Sequence, residues 1–586
     1  MAKQLGEYDR ENMNFVLKYW KLSRDYSRPY FESAQDDYKQ VRKYRNQEDY
    51  PYVNNVSTPD TFSFCEDASA KIVQSLTATT PFFAVMPRKG ANTAIGRQVE
   101  NVLDAVVMNP DAEFYLNLAD TIKSGTHLGT SYLCVEPQFK YDASNNLVWD
   151  HMRFRNDDFW DIFPDPSAVR INKYMRFLIH RQVYYIDDLE TLAQQGFFLP
   201  DRVAKIKKLN QSPPKNWETE RTDVLAAIGL QDWRSPEDQE GQVEVLHMYS
   251  QGDVISLANR WCVIKDTRKE DKAPLPYALR HCDYRYIQMP HEFFGVSLPW
   301  IMRELQEDRN LLRSQRRENI DLILNKILMV RRGGDVDLDT IVFHPGALWL
   351  MDQPGQDVTP MELDDVTSSA YQEDEVLGQD MENATGQQRY TRGIAPGQRE
   401  TAMGIIRLQQ AAMARMDQSI KIAEFTLLRS IALRTILCMR RFMPQGEYET
   451  INGEQDAGFY QLSESDIKNL YDVIPVGTSV TAVKELKAQQ IMQAIQLAMT
   501  LPPQLTMQGP TPFAIDYYEH LRAAYETLDL KQVDRMLRLL PPQQPQPMLP
   551  PGQPGGGGQP LQQQSAAQLM LPPPPGGGGM MGMLGQ

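Results

Sequence analysis

The spacing of apolar residues predicts a mixture of helices and strands in the first half of the chain. A period near 3.6 residues is typical of amphipathic helices, and a period of two is typical of half-buried strands. The first pattern predicts helices over 8–46, 64–76, 94–107, 113–123, 186–195 and 201–209. The second predicts strands over 81–87, 131–136, 146–149, 177–183, 243–249 and 260–263. The runs 131–136 and 146–149 flank turn-forming residues, which indicates a β-hairpin, and the fold class is predicted to be α+β.

Long helices dominate the pattern after Pro290. Residues 297–325 predict one helix with an apolar stripe, Ser297 as its N-cap, and five arginines balanced by five carboxylates. Two β-like runs follow, and then two further helices separated by a break rich in glycine and proline. These elements are predicted over 326–330, 347–351, 366–387 and 401–443.

The C-terminal part is predicted to be a smaller helical unit followed by a segment of low complexity. A strand is predicted at 473–476, and helices are predicted at 484–500, 513–528 and 530–540. Residues 541–586 contain no Asp, Glu, Lys or Arg and consist mostly of Pro, Gly, Gln, Met and Leu. Such a composition cannot bury enough apolar area to offset the entropy of ordering, so we expect a disordered tail.

Charge and cysteine content narrow the class of protein. The net charge of −15 argues against a protein that binds nucleic acid by neutralising phosphates, but it allows one that encloses sliding DNA. The five cysteines are scattered and never form a C-x-x-C pair, so we expect reduced thiols packed as small apolar groups. No run reaches the roughly 18 apolar residues of a membrane span, and no signal peptide is recognised. We therefore expect a cytoplasmic protein without membrane contact.

The sequence carries no local signature of catalysis or cofactor binding. No Gly-Lys dipeptide is present, so there is no Walker A loop for a triphosphate. His291-Glu292 begins like a zinc-protease motif, but Gly295 stands where the second histidine would be. No two of the eight histidines lie three or four residues apart. We predict no catalytic residue, no metal ligand and no cofactor.

An acidic stretch lies between the two predicted helices 297–325 and 366–387 and continues into the second. Between Arg332 and Arg389 the chain has thirteen carboxylates and no Lys or Arg. We interpret this stretch as a solvated face, as a surface that repels phosphate along a passage, or as a docking site for a basic partner. Metal binding by the aspartates of 335–339 is disfavoured, because the spacing lacks the glycine and terminal glutamate of a calcium loop.

Three arginines punctuate the loop 388–400 that follows the acidic stretch. Arg389, Arg392 and Arg399 lie among glycine and proline residues. They are interpreted either as contacts to DNA phosphates or as part of an ordinary solvated loop.

Several stretches resemble the portal proteins of short-tailed phages. Asn54-Asn55-Val56 followed by a helix and by Pro81–Pro87, and then Phe159–Pro166, are similar to the family's wing region. Phe293–Pro299 resembles the start of the stem, and Thr401–Ile405 resembles the start of the long helix beneath the tunnel. The similarity covers about residues 10–540 and rests on the order of elements and on local sequence.

The resemblance implies a ring, usually of twelve copies, at one vertex of the capsid in the virion. It divides the chain into the parts of a portal subunit. These are the mixed α/β wing 1–295, stem helix 296–325, clip 326–365, stem helix 366–387, tunnel loop 388–400, long wing helix and return 401–459, helical crown 460–540 and disordered tail 541–586.

The resemblance also implies a non-enzymatic function with several partners. The ring would be a conduit for packaging and ejection of double-stranded DNA, assembled in the host cytoplasm. It would contact the major capsid protein and be a docking platform for the terminase large subunit and later for tail adaptor proteins. The expected channel residues are Arg309, Arg313, Arg316 and Arg317 of the stem, Arg389, Arg392 and Arg399 of the tunnel loop, and the acidic Asp364, Asp365, Glu373, Asp374, Glu375 and Asp380 of stem and clip.

Two other functions stay open at this stage. A scaffold or ejection protein of the virion would be expected to show dominant coiled-coil heptads, and the α/β first half argues against it. A metal-dependent nuclease would use carboxylates of the 335–382 stretch, in particular Asp364 and Asp365. The long stem helices could also be ordinary core helices of a large monomer.

Overall fold

The computed structural model describes much of the chain up to residue 475. The described ranges are 7–45, 54–78, 82–88, 93–141, 147–172, 174–209, 220–230, 241–250, 252–269, 280–325, 327–332, 341, 355–361, 367–387, 416–452 and 471–475. All of them belong to one unit, Met1–Gln489, while a second unit, Gln490–Gln586, lies outside the described residues. The predictions for 484–540 and for the tail 541–586 therefore also lie outside them.

Helices occur along the whole described part of the chain. They are α1 (Glu7–Val41), α2 (Asp60–Leu76), α3 (Thr93–Val107), α4 (Phe114–Leu128), α5 (Ile186–Gln194), α6 (Pro200–Leu209), α7 (Glu220–Ala227), α8 (Leu298–Leu324), α9 (Thr367–Thr385), α10 (416–442) and α11 (Gln445–Asn452). Helix α10 contains a wider π-turn at Glu424–Leu428 before its last part, Arg429–Phe442.

Strands occur mainly between α4 and α8. They are β1 (Phe83–Pro87), β2 (Thr130–Tyr141), β3 (Leu147–Asp157), β4 (Ile162–Pro164), β5 (Phe177–Tyr185), β6 (Gln242–Ser250), β7 (Val254–Ala258), β8 (Cys262–Asp266), β9 (His281–Arg285), β10 (Leu328–Val330), β11 (Val358–Pro360) and β12 (Tyr471–Pro475). Together with the helices they confirm the α+β prediction.

Two antiparallel sheets form the centre of the described structure. The larger has the order β4-β5-β6-β7-β8, and the smaller has the order β3-β2-β9. The predicted hairpin is β2 and β3, with Tyr132 opposite Asp157 and Cys134 opposite Arg155. Two short antiparallel pairs, β1 with β12 and β10 with β11, form separate two-stranded sheets.

Three apolar clusters hold these elements together. The first joins α2, α3 and α4 to the smaller sheet, the start of α8, α10 and the β1–β12 pair. The second packs α1 against one face of the larger sheet together with Phe293 and Phe294. The third packs α5 and α6 against strands of the larger sheet through Leu189, Val203 and Ile264.

The structure differs from the predicted elements at several points. The strand predicted at 260–263 is Cys262–Asp266, and β7 was not predicted. The strand predicted at 347–351 lies outside the described residues, and β10 pairs with β11, which was not predicted. The strand predicted at 473–476 is β12, and it pairs with β1, almost four hundred residues earlier. This partner was not predicted, because backbone pairing of distant segments leaves no local sequence pattern.

Two predictions about side chains and membranes are tested by the described residues. Each of the five cysteines is buried and free, as expected for reduced thiols packed as small apolar groups. None of the described helices has an apolar run long enough to cross a bilayer.

Candidate functional site

Helices α8 and α9, connected through β10 and β11, form a helical arm that we call the hairpin. The two helices pack side by side, and the β10–β11 ribbon pairs Met329 with Thr359 beyond their ends. Backbone hydrogen bonds from Arg331 to Asp357 (2.9 Å) and from Met361 to Ile327 (2.8 Å) extend the ribbon by one residue at each end. The remaining described residues, outside the hairpin, are called the body.

The segment Phe293–Pro299 fixes the start of the hairpin on the body. Phe293 and Phe294 are buried in the second apolar cluster. Gly295 passes so close to Gly129 that a Cβ added at Gly129 would lie 2.3 Å from the Gly295 carbonyl oxygen. Gly129 also has a φ of +82°, which favours glycine. The segment that resembles a stem start is therefore a close backbone crossing that only small residues allow.

Helix α8 begins at the N-cap that the sequence predicted. The Ser297 hydroxyl accepts a hydrogen bond from the Trp300 amide (3.0 Å) and donates one to Asp37 of α1 (2.6 Å). Arg303 donates to the other oxygen of Asp37 (2.6 Å). Burial raises the pKa of Asp37, and the hydrogen bonds from Ser297 and Arg303 oppose that shift. The base of the hairpin is thus clamped to α1 by a shared carboxylate.

The buried face of α8 beyond its first turns is polar. The Thr61 amide donates to Gln306 (3.1 Å), the Thr58 amide donates to Asn310 (2.9 Å), and the amide of residue 56 donates to Ser314 (3.1 Å). All three α8 residues are buried, at a spacing of four that places them on one helix face. The extended segment 54–59 therefore lies along α8 through hydrogen bonds rather than apolar packing.

Arg309, predicted as a channel residue, is bound within the chain. Its guanidinium pairs with Asp374 of α9 (2.8 Å) and with Asp60 of α2 (3.2 Å). Asp374, one of the predicted acidic residues, is half-buried in the same contact. This ion pair joins α8 and α9 and ties both of them to the body.

The other predicted site residues of the hairpin are more open. Arg313 and Arg317 are exposed, and Arg316 lies over the ring of Tyr371 at 4.4 Å from its centroid. On α9 the exposed carboxylates are Glu373, Glu375 and Asp380. Five predicted residues lie outside the described part of the chain, namely Asp364, Asp365, Arg389, Arg392 and Arg399. The structure therefore brings arginines and carboxylates together on one arm, and it leaves two arginines and three carboxylates open to solvent.

Large apolar side chains are exposed along the outer part of the hairpin. They are Ile320, Leu322, Leu324, Ile327, Met329, Val330, Met361, Tyr371 and Val376. Leu324, the last residue of α8, is 74% exposed. Concentrations of exposed apolar side chains are typical of surfaces that bind another molecule.

The sequence matches a family model described as "Phage SU10 portal protein" over residues 149–571, well over half of the chain. The chain belongs to this phage portal protein family. Among curated proteins, no sequence matches the chain. The match confirms the resemblance to portal proteins of the short-tailed-phage type. It begins within β3 and extends past α8, α9 and α10 into the low-complexity segment, so the hairpin lies inside the portal-family region.

A buried polar layer lies between the two sheets of this portal-family chain, and it was not predicted from the sequence. Asp157 of β3 lies 3.0 Å from His281 of β9 and 3.9 Å from His180 of β5. Arg155 donates to the second oxygen of Asp157 (2.7 Å) and Cys134 of β2 completes the group. His180 and His281 are far apart in sequence. Cys134 and His281 are brought together by the pairing of β2 with β9, which leaves no local sequence pattern.

The charges of this layer are set by burial and by Arg155. Burial raises the pKa of Asp157, but its His180, Arg155 and His281 neighbours more than offset this and hold it below its usual range. Burial lowers the pKa of His180 to about 3. Arg155 is therefore the main positive partner of the charged Asp157, and it is also paired with Glu136 at 3.2 Å.

Proposed function

We propose that the chain is the subunit of a closed portal ring through which double-stranded DNA enters and leaves a phage capsid. The observation that carries this proposal is the row of exposed apolar side chains on the outer part of the hairpin. A row of this kind is covered when copies pack side by side, and head-to-tail contacts that close by rotation produce a ring. Membership of the portal family supplies the general role.

In this proposal the body, apart from β12, is the wing, and the hairpin is the stem with part of the clip. Residues 1–295 and 401–459 would form the wing, 296–325 and 366–387 the stem helices, and 326–365 the clip. Residues 388–400 would form the tunnel loop, 460–540 the crown, and 541–586 a tail that the ring does not need. The long helices, the ribbon between them and the capped start of α8 support the stem and clip assignment.

The proposed channel surface is acidic overall. Helix α9 carries five carboxylates and no Lys or Arg, and three of those carboxylates are exposed. Because like charges repel, such a surface keeps phosphates from binding and lets a duplex slide. Arg313 and Arg317 of α8, with Arg389, Arg392 and Arg399 of the tunnel loop, would add a few positive contacts to the DNA. Arg309 is assigned instead to holding α8 against α9.

The partners follow from the place of a portal in the virion. We propose that the ring, of about twelve copies, sits at one capsid vertex against the major capsid protein. The clip would bind the terminase large subunit during packaging and tail adaptor proteins afterwards. No catalytic step is assigned to the chain, and the packaging motor would be a separate ATPase.

Electron microscopy of the purified full-length chain tests the ring directly. Negatively stained particles are expected to show annular end views with a central hole, and mass photometry is expected to give a single mass of about twelve subunits. A particle population that stays monomeric at high concentration, with no hole in any view, would overturn the proposal.

Charge reversal on α9 tests the acidic channel. Replacing Glu375 and Asp380 together by lysine is expected to leave rings intact but to make them retain DNA in a salt-dependent way, because counterion release favours lysine–phosphate contacts. A double change of the same charge on the body, Asp120→Lys with Asp188→Lys, is the control and is expected to leave DNA retention unchanged. Equal retention by both variants would place Glu375 and Asp380 outside the channel.

A further inference from the structure

Four strands carry side chains of the types that bind metals, and these side chains lie in the space between the two sheets. On the smaller sheet, Cys134 and His281 are cross-strand partners, and Asp157 lies opposite Tyr132, two residues before Cys134. Residues two apart on a strand share a face, so Cys134, Asp157 and His281 project from the same side. His180 of the larger sheet faces them, and its Nδ1 lies 3.2 Å from His281 Nε2.

The separations among these atoms are close to those of ligands around one small cation, except that His180 lies outside the group that contains the Cys134 sulfur. Oδ2 of Asp157 lies 3.0 Å from His281 Nε2 and 3.9 Å from His180 Nδ1. The Cys134 sulfur lies within 4.8 Å of the ligand atoms of both Asp157 and His281. A tetrahedral metal with bonds of about 2.0–2.3 Å needs ligand atoms about 3.3–3.8 Å apart. Small side-chain adjustments would therefore be enough to place a cation among Cys134, Asp157 and His281, and a larger movement of His180 toward the Cys134 sulfur would complete the set of four.

The carboxylate of Asp157 is oriented as a ligand would be. Its Oδ1 accepts a hydrogen bond from Arg155 (2.7 Å), which fixes the plane of the group. Its Oδ2 is fully enclosed, and although it lies close to His281 Nε2, it accepts no hydrogen bond of normal geometry. A buried carboxylate oxygen in this position is costly unless a cation or a donor satisfies it.

We propose that Cys134, Asp157, His180 and His281 bind one structural Zn²⁺ that joins the two sheets of the body. Nitrogen and sulfur ligands in a closed, four-coordinate arrangement are typical of structural zinc. On binding, the Cys134 thiol loses its proton to solvent as the sulfur–zinc bond forms. The thiolate and the carboxylate then offset the two charges of the metal, while Glu136, 3.2 Å from Arg155, offsets the charge of that arginine.

Neighbouring residues of the same types are excluded by geometry. His247 lies next to His180 across β5 and β6, but its Nδ1 is paired with the Ser256 hydroxyl at 2.8 Å. Cys282 follows His281 on β9 and therefore faces the other side of the sheet, where Arg434 lies 3.0 Å from its sulfur. These two residues provide matched controls, since each is a buried strand residue beside a proposed ligand.

Metal content and cobalt spectroscopy of the full-length protein test the site. The wild-type chain, produced with added Zn²⁺, is expected to retain about one zinc per chain after gel filtration. Cobalt in place of zinc is expected to give the visible absorption of a tetrahedral site and the near-ultraviolet charge-transfer band of a thiolate ligand. Cys134→Ala is expected to lose the band and roughly tenfold or more of the bound metal, whereas Cys282→Ala is expected to keep both.

Further variants keep the test informative if Cys134→Ala folds poorly. Asp157→Asn and His180→Asn are expected to weaken zinc binding by about 10–100-fold, and His247→Asn is expected to leave it unchanged. Zinc is also expected to raise the melting temperature of the wild type by roughly 5 °C over the chelator-treated protein. A folded wild-type chain that neither retains zinc nor gives the cobalt thiolate band would overturn the proposal, as would full metal binding by Cys134→Ala.

Discussion

The body and the part of α8 beyond its first turns bury different kinds of side chain. In the body, aromatic residues are enclosed in contact with one another, as in the group of Phe31, Phe159, Phe163 and Phe294. In the hairpin, the enclosed face of α8 carries Gln306, Asn310 and Ser314, while Leu322 and Leu324 are exposed. Along this part of α8, polar residues are enclosed and apolar residues are exposed, which is the reverse of the usual distribution.

This difference shows which part of the chain is complete by itself. The body encloses large apolar clusters within one chain, so its fold is expected to form without neighbours, and single apolar side chains such as Tyr115 and Leu116 stay exposed on its surface. The hairpin is attached to the body by apolar contacts at the start of α8 and by hydrogen bonds beyond them, and it leaves other apolar side chains exposed for another surface. Such an arrangement suits an arm whose fold is completed by assembly. The free energy of unfolding of the isolated chain and the yield of rings should therefore respond to different substitutions.

Truncating a core aromatic residue should destabilise the body most. Phe294 is 2% exposed and stacks on Tyr30 with ring centroids 4.5 Å apart. Phe294→Ala is expected to lower the free energy of unfolding by about 3–5 kcal/mol, through lost burial and the cavity left behind. Urea unfolding of the isolated chain measures this. Leu116→Ala, at an exposed position of α4, is the control and should cost less than about 1 kcal/mol.

Acid should weaken the body through His127. Burial, with the nearby Lys123, lowers the pKa of His127 to about 4. Since the unfolded chain has the higher pKa, of about 6.5, it binds more protons, and stability is lost as pH falls from about 6.5 to 4. The loss from His127 is expected to be on the order of 2–3 kcal/mol at pH 4.

Comparison of two histidine variants isolates this contribution. His127→Asn is expected to flatten the decline of the melting temperature between pH 6.5 and 4, whereas His291→Asn, at an exposed position, should not. An unchanged pH profile in His127→Asn would mean that other buried groups dominate the acid sensitivity.

Local patterns were enough to predict most elements of the body. The period of two over 177–183 and 243–249 corresponds to β5 and β6, and the Ser297 cap correctly marked the start of α8. These features depend on residues close in sequence. The pairing of β1 with β12 and the layer containing Asp157 and His281 depend on chain segments that lie far apart, so periodicity could not reveal them.

The candidate site was predicted less completely than the fold. The sequence correctly selected α8 and α9 as a pair of long helices, and it identified the acidic character of α9. It could not separate Arg309, which is bound to Asp60 and Asp374, from the exposed Arg313 and Arg317, because all three lie on one broad face of α8. The polar face that contacts 54–59 was also missed, because only the apolar stripe of α8 was recognised in its sequence.

Removing one polar contact of α8 should loosen the hairpin without unfolding the body. Asn310 accepts hydrogen bonds from the Thr58 amide and, at 3.1 Å, from Gln306. Asn310→Ala leaves the buried Thr58 amide without an acceptor and is expected to cost about 1–3 kcal/mol. Hydrogen exchange of the 54–61 segment should accelerate accordingly, while exchange of β5 and β6 stays unchanged. Asp308→Ala, exposed on α8, is the control, and equal acceleration there would exclude a specific contribution from Asn310.

Replacing two exposed leucines of the hairpin should have the smallest effect on the stability of the chain and the largest effect on its assembly. Leu322→Asp with Leu324→Asp changes exposed residues, so the free energy of unfolding of the isolated chain is expected to change by less than about 0.5 kcal/mol. If neighbouring copies cover these side chains, burying two carboxylates there is strongly unfavourable, and rings should fall at least tenfold in mass photometry. Leu116→Asp with Tyr115→Asp, exposed on the body, is the matched control and should assemble normally. Normal rings from the Leu322 and Leu324 variant would show that the hairpin is not covered by neighbouring subunits, and the contrast between body and hairpin would then need another explanation.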